Sequence, residues 1–470
     1  VGKVFSITDF KEGLDVRKSA LTAPGGSLRI LDNAWLTQGG EIEKRPAFVP
    51  VATLPANTGM IFGQGGSLHV FGVGLGVIDP GVAPHPVVGH DLAAPPGGAP
   101  VKIEDVEAFD TGFYVSGTAA DGSKVIWWNG VIVYEVGGTQ STGTYSRTYK
   151  TKMYRTDGKY LRFSGVNDPS QNDPSNVASP GAGFINVATN DPDGENVVSM
   201  EVFYDKMAVF ARLMTQLWSL DPDPTKDQLG QVLRIGTVAP RSVLQFGTGD
   251  ILFLSDSGVR SLKSQTVTLT AGVSDVGSSI DPLMTTAIRL NPAAADEAQA
   301  VVQPIAGRYW LALDDKVYVL SFFPAGKITA WSQFTPGFVV QEWATVTNRI
   351  YTRGPDQTLY LFGGVDNTGY DSCRVTVRTP HMEMEGPTTR KYIQSVDLMC
   401  QGQWNVSMGM LPNNTDAFEP VATVQDNTFG LQSIPFAGYG THVGLELIHE
   451  APGPALLASI HLNMREGSVK

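Results

Sequence analysis

Along most of this chain, aromatic and β-branched residues alternate with polar ones in short runs. Lys124 to Val136, Asp250 to Leu262 and Lys316 to Phe323 are examples, each bounded by Gly, Asp, Asn or Pro. A side-chain period of two belongs to strands, so the pattern predicts an all-β fold. The best stretch with helical character is Ala295 to Gln303. It follows the turn signal Asn291-Pro292, and a helix is expected there.

Between about residues 60 and 370 the runs recur as a hairpin unit of two strands around a tight polar turn. The turns fall near Gly65, Asp121, Asp157, Asp205, Gly249, Asp315 and Asp356, at uneven gaps whose mean is about 49 residues, close to the length of a four-stranded propeller blade. Each hairpin carries apolar residues on both faces, as at Tyr309, Trp310 and Leu311 and at Val317, Tyr318 and Val319. Such a sheet needs a sheet on each side. Radial stacking supplies both and leaves only short edges, so a β-propeller of six or seven blades is expected. A β-sandwich or solenoid with the same number of strands is the competing architecture.

Three regions follow. Residues 51–371 form the propeller-like repeat. Residues 1–50 contribute N-terminal strands, and residues 372–470 contain two segments with sandwich-like alternation, so the chain ends are expected to build one β-sandwich. Ser170 to Asn196 is the longest polar interval, read as a long loop and a candidate contact with a neighbouring subunit.

Composition narrows the class. With 52 Gly and 30 Pro, yet 42% hydrophobic and 17% charged residues, the chain is folded and rich in turns. It has no uninterrupted apolar run of about 18 residues and no basic-then-apolar start, so a soluble protein not exported by its own signal is expected. Cys373 and Cys400 are too few for a disulfide framework and are expected as free thiols made in a reducing cytosol. A net charge of −12 argues against a basic DNA footprint, although an acidic wall suits a conduit past which phosphates must slide.

Candidate chemistry is sparse. The sequence contains no GxxxxGK[ST], HExxH or GxSxG motif. Gly72, Gly74 and Gly76 follow a strand but lack the rest of a dinucleotide fingerprint, and read as a blade turn. His85 and His90 share a Pro-rich stretch with Asp79 and Asp91, at spacings that match no metal loop. His442 and Glu446 fall on one strand face opposite Val443, Leu445 and Leu447, a polar-out, apolar-in arrangement. The acidic turns at Asp191, Asp193 and Glu195 and at Asp221 and Asp223 lack a full calcium ligand series. The stretches around Asp256 and Asp121 approach the S-x-D-x-G-x-x-W turn of propeller glycosidases without matching it. No catalytic residue, cofactor or metal ligand is therefore assigned, and a non-enzymatic protein is expected.

The two ends add a resemblance. Phe10, Gly13, Leu14 and Asp15, then Pro24, Gly25, Leu28, Leu31 and Asn33, then Trp35, Gly39, Gly40, Ile42, Lys44, Arg45 and Pro46 form a series of spaced motifs. With Arg390 to Met410 and the final strands, this series resembles the tail nozzle, or tail tubular protein B-like, subunits of short-tailed phages. It covers about 50 residues at the front and 80 at the back. The resemblance implies a virion structural protein made in the host cytoplasm. It implies a hexameric ring at the distal end of the tail, below an adaptor ring and beside tail fibre or spike proteins. Double-stranded DNA would pass through it as gated cargo, and the host envelope would meet it at infection. A receptor- or glycan-binding propeller, and a head-to-tail hub or plug, are the alternatives. Within the motifs Gly39 and Gly40 suit a turn needing positive φ, Trp35 suits an anchor for a terminal strand, and Lys44 and Arg45 are expected at a subunit interface or in solvent.

Overall fold

The computed structural model describes residues 2–78, 84–133, 143–175, 181–190, 193–247, 249–264, 271–303, 305–384, 389–426, 428 and 434–466. Among them, seven β-sheets form the blades of a propeller. The innermost strands are Met60–Gln64, Lys102–Phe109, Ser146–Tyr149, Ser199–Phe203, Leu244–Phe246, Gln299–Gln303 and Glu342–Val346. Each lies against the next, and the seventh returns to the first, so the ring is closed. Blades 2 to 7 each place four strands in meander order. Blade 1 has three described strands, the outer one, Val87–Leu92, running parallel to its neighbour.

All seven predicted turns lie in separate blades, and their uneven spacing has a simple cause. Gly65, Asp205 and Gly249 join the first and second strands of blades 1, 4 and 5. Asp121, Asp157, Asp315 and Asp356 join the second and third strands of blades 2, 3, 6 and 7.

Two-sided burial is clearest in blade 6. Tyr309 and Leu311 enter one hydrophobic cluster while Trp310 and Ala312, on the opposite face, enter another. Stacking between blades is thus what holds each sheet, at about 25 cal/mol per Å² of apolar surface buried. The ring is fastened by Phe48–Thr53, which supplies the outer strand of blade 7 by pairing with Thr358–Phe362. The boundary expected at residue 50 therefore cuts through a propeller strand.

Outside the ring, two sheets face one another across a common core. One contains Ile434–Gly440, Lys391–Gln401, Leu456–Glu466, Ile42–Lys44 and Ala34–Leu36, with Lys3–Ile7 on Leu456–Glu466. The other contains Ile30–Asp32, Val375–Arg378, Gly444–His449, Gln403–Gly409 and Glu419–Gln425. This second sheet runs on into blade 6 through the pairing of Asp32 with Gln333. Ring and sandwich thus share a sheet and do not merely sit side by side.

Gly13 lies at that junction. Its φ is +59°, and a Cβ there would fall 2.8 Å from both Ala330 Cβ and Trp331 O. Gly13→Ala is expected to cost about 2 kcal/mol or more, from strain and overlap together. The urea midpoint measures it.

Two local expectations are corrected. The segment Ala295 to Gln303 is not a helix: a one-turn helix, Pro292–Asp296, ends before Gln299–Gln303 becomes the innermost strand of blade 6. Asn291 caps that turn by accepting the Ala294 N–H, and the paired, half-buried Ala-Val-Val run behind it goes to the sheet. A helix not foreseen, Asp281–Leu290, precedes it. The long polar interval is also not all loop: Gly183–Asn186 forms the outer strand of blade 3, while residues 176–180 and 191–192 lie outside the described ones.

Candidate functional site

The innermost strand of a propeller blade has no partner on its axial side, and its backbone N–H groups need acceptors. Here acidic side chains of neighbouring strands supply several. Asp105 accepts the Ser146 N–H (2.7 Å) and Glu107 the Thr148 N–H (2.9 Å), joining blade 2 to blade 3. Glu342 accepts the Ile61 N–H (3.2 Å), joining blade 7 to blade 1.

These carboxylates face arginines in the channel. Arg147 on blade 3 lies 3.5 Å from Asp105, 3.8 Å from Glu107 and 3.1 Å from Glu201 of blade 4. Burial opposes its charge, but the three carboxylates outweigh that and hold its pKa above the usual value. Burial pushes the Glu107 carboxyl up to about 7 against the pull of Arg147, and raises Asp105 in the same way. Arg353 grips both oxygens of Glu342 at 2.8 and 2.9 Å.

The channel is barred near its middle. Arg241, at the entry to blade 5, reaches across the axis to blade 2, donating to Glu104 O (2.9 and 3.1 Å) and Ile103 O (3.2 Å). Those carbonyls are free because the strand bulges between Ile103 and Asp105. Cavities of about 470 and 400 Å³ share Arg241, Tyr145, Gln299 and Glu342 as common wall. Each carboxylate named here is engaged by a cation or a backbone amide.

The terminal motif residues gather in a second place, where the sandwich meets blades 6 and 7. Asn33, at φ +56°, donates to Arg374 O (2.9 Å) and accepts from Arg45 Nε (2.9 Å) and Thr335 N (3.0 Å). Lys44 is fully buried, its Nζ donating to Asp371 O (2.6 Å) and Ala451 O (2.8 Å). Arg45, 1% exposed, donates to Pro46 O (2.9 Å), lies 3.3 Å from the Asp371 carboxylate and covers the Phe48 ring at 5.1 Å. The expectation of an interfacial or solvated Lys44 and Arg45 is thereby corrected. Both charges are spent inside the chain, on carbonyls of the connecting segments at Pro46, Asp371 and Ala451 and on the Asn33 and Asp371 side chains.

Trp35 packs edge-on against Trp310 and tilted against Phe334 and Phe362, with the Arg308 guanidinium 3.6 Å over its ring. Its indole N–H reaches Glu43 (2.9 Å). Of the glycine pair, only Gly40 has positive φ, +86°.

The other sequence candidates stay apart. His90 Nε2 lies 2.8 Å from His69 Nδ1, and His85 Nδ1 lies 2.8 Å from Tyr351 Oη, which ties blade 1 to blade 7. Asp91 accepts the Leu75 N–H, and Asp79 and Asp191 lie outside the described residues. Gly74 has φ +65° in the turn leaving the second strand of blade 1. Asp221 and Asp223 close local turns, accepting the N–H groups of Asp223 and Thr225. Glu446 pairs with Arg378 (2.6 Å) while Val443, Leu445 and Leu447 are buried. Cys373 and Cys400 are free. No group of three or more metal-ligating side chains occurs among the described residues.

Sequence reasoning passed over Asp105, Glu107, Arg147, Glu201 and Arg241. A row of charges facing a channel has the same period as one facing solvent. The signal that was present is the pair of acids two residues apart in Lys102–Phe109, with Ile103 and Val106 buried beside them.

No family model and no curated protein matches the chain. Among solved structures, the chain is similar to BamB from Moraxella catarrhalis at 11% identity and a TM-score of 0.34, over 68% of this chain and 97% of that one. It is similar to the computationally designed protein Ika8 at 12% and 0.34, over 56% and 72%. The extracellular domain of the putative one-component system BT4673 from B. thetaiotaomicron aligns at 9% and 0.40, over 90% of this chain and 62% of that one. At these TM-scores the likenesses carry no argument, and the propeller rests on the strand pairings of the chain itself.

Proposed function

We propose that this chain is a structural subunit of a short-tailed phage tail, closing with further copies into the distal ring, or nozzle, that gates DNA before infection. The observation that carries this reading is the convergence of the terminal motif residues Asn33, Trp35, Lys44 and Arg45 into one buried knot. A ring that bears load needs its two modules fixed as one body, and a shared sheet cross-linked by buried cations serves that need. DNA passes through the lumen between subunits, because Arg241 bars the axis of the propeller itself. A net charge of −12 lets such a wall repel phosphate. The adaptor ring above, fibre or spike proteins beside it and the host envelope below are the partners of this reading, and the virion is its location.

Native mass spectrometry of the purified chain, with electron cryomicroscopy of the assembly, is expected to give closed rings, most simply hexamers. An obligate monomer or a trimeric fibre would overturn the proposal. Release of reducing sugar from a capsule polysaccharide would replace it with glycan cleavage.

A further inference from the structure

Within the propeller channel the described charges do not balance. Asp105, Glu107, Glu201 and Glu342 face Arg147, Arg241 and Arg353, and Asp296, Glu297 and Asp314 on the wall of the larger cavity add to the acidic excess. Glu104 belongs to the rim, where Lys102 (3.5 Å) and Lys124 (3.9 Å) compensate it. Glu342 is taken by Arg353, with Arg241 a further 3.9 Å away. That leaves Asp105, Glu107 and Glu201 sharing Arg147, with no side chain of these more than 20% exposed.

The guanidinium cannot serve all three. Its Nε–H is directed at Glu201 and its Nη1 at Ser146 O (2.7 Å), while Asp105 and Glu107 lie farther from it, at 3.5 and 3.8 Å. Glu107 takes the Thr148 N–H and Asp105 the Ser146 N–H, with the Val106 N–H also acting on Asp105, so two like charges of one strand face share a single nearby guanidinium. Among the described residues Arg241 also acts on Asp105 from a distance, and burial raises the pKa of Tyr145 beside them.

We propose that Asp105 and Glu107 together bind one proton at neutral pH, reducing the acidic excess around Arg147 and acting as a pH-dependent latch across the seam between blades 2, 3 and 4. The two carboxyls titrate as a coupled pair, and the bound proton belongs to the pair. The burial-raised carboxyl pKa values agree with this. The sign follows: a carboxyl raised in the folded state favours folding below its unfolded pKa. That contribution disappears as pH rises toward about 7, where the latch loses its proton.

The test is infrared difference spectroscopy on the intact chain, wild type minus Glu107→Gln. The expected result is a protonated-carboxyl carbonyl band at about pH 6 that titrates away around pH 7. Glu107→Gln is also expected to raise the melting temperature by about 2–4 °C at pH 8.5 and to leave it unchanged near pH 5, since the amide replaces the protonated acid. A wild-type spectrum with no such band at about pH 6 would overturn the proposal, and this needs no folded variant. So would a Glu107→Gln chain that melts below wild type at pH 8.5 while matching it at pH 5.

Discussion

Arg45→Met is expected to leave little folded chain at 37 °C, with a loss of roughly 3 kcal/mol or more in urea titration at neutral pH. Methionine keeps most of the volume, so the loss isolates the polar role. The Arg45 guanidinium satisfies Asn33 Oδ1 and Pro46 O and faces the Asp371 carboxylate, while Lys44 holds the carbonyl of the same residue. Burial raises the Asp371 carboxyl, but the Arg45 charge and the Cys373 N–H together pull it below the ordinary range. A carboxyl so depressed contributes stability above its unfolded pKa and loses it in acid. The deficit of the variant should therefore narrow as pH falls, because the Asp371 carboxyl, freed of Arg45 and raised by burial, protonates in the variant before it does in the wild type. Arg45→Lys should not rescue, because an ammonium cannot span Asn33, Pro46 and Asp371 while covering Phe48.

Arg147→Met should have an effect of similar size, relieved by acid in the same direction but in a higher pH window. Without the guanidinium, Asp105, Glu107 and Glu201 face one another across a largely buried seam, and the penalty at about pH 8 is expected to be roughly 3–5 kcal/mol. These carboxyls can escape by binding protons, so the variant should regain stability as pH falls from about 8 to 5. Melting curves of the two chains across that range measure the gap directly. A constant deficit would place the cost in packing and not in charge.

How much of this is legible in the sequence depends on where a residue's partners lie. The central hairpins of the blades can be read because alternation and a tight polar turn are local properties, and the seven turns mark the seven blades. The innermost and outermost strands cannot. Leu244–Phe246 is only three residues long, and Phe48–Thr53 belongs to a blade whose other strands begin almost 300 residues later. Helix Asp281–Leu290 does carry an apolar stripe, Leu283, Met284, Ala287 and Ile288, but it is only ten residues long and stands alone among strands, so a reading tuned to alternation passes over it. Lys44 and Arg45 are the sharpest case. In sequence they are two adjacent charges before a proline, and only the inward carbonyls of Asp371 and Ala451 and the side chain of Asn33 make burial favourable.

The fastening of the ring by Phe48–Thr53 also sets a timetable for synthesis. When that segment leaves the ribosome, the strand it must join, Thr358–Phe362, has yet to be translated. Lys3–Ile7 waits longer still for Leu456–Glu466. Closing a loop of such length costs only slightly more entropy than closing a shorter one, because the cost grows with the logarithm of length, but the search is slow. Nascent chains thus carry six partly stacked blades with two unclaimed strands at the front. Those open edges are where one nascent chain would pair with another, and where a chaperone would have to act.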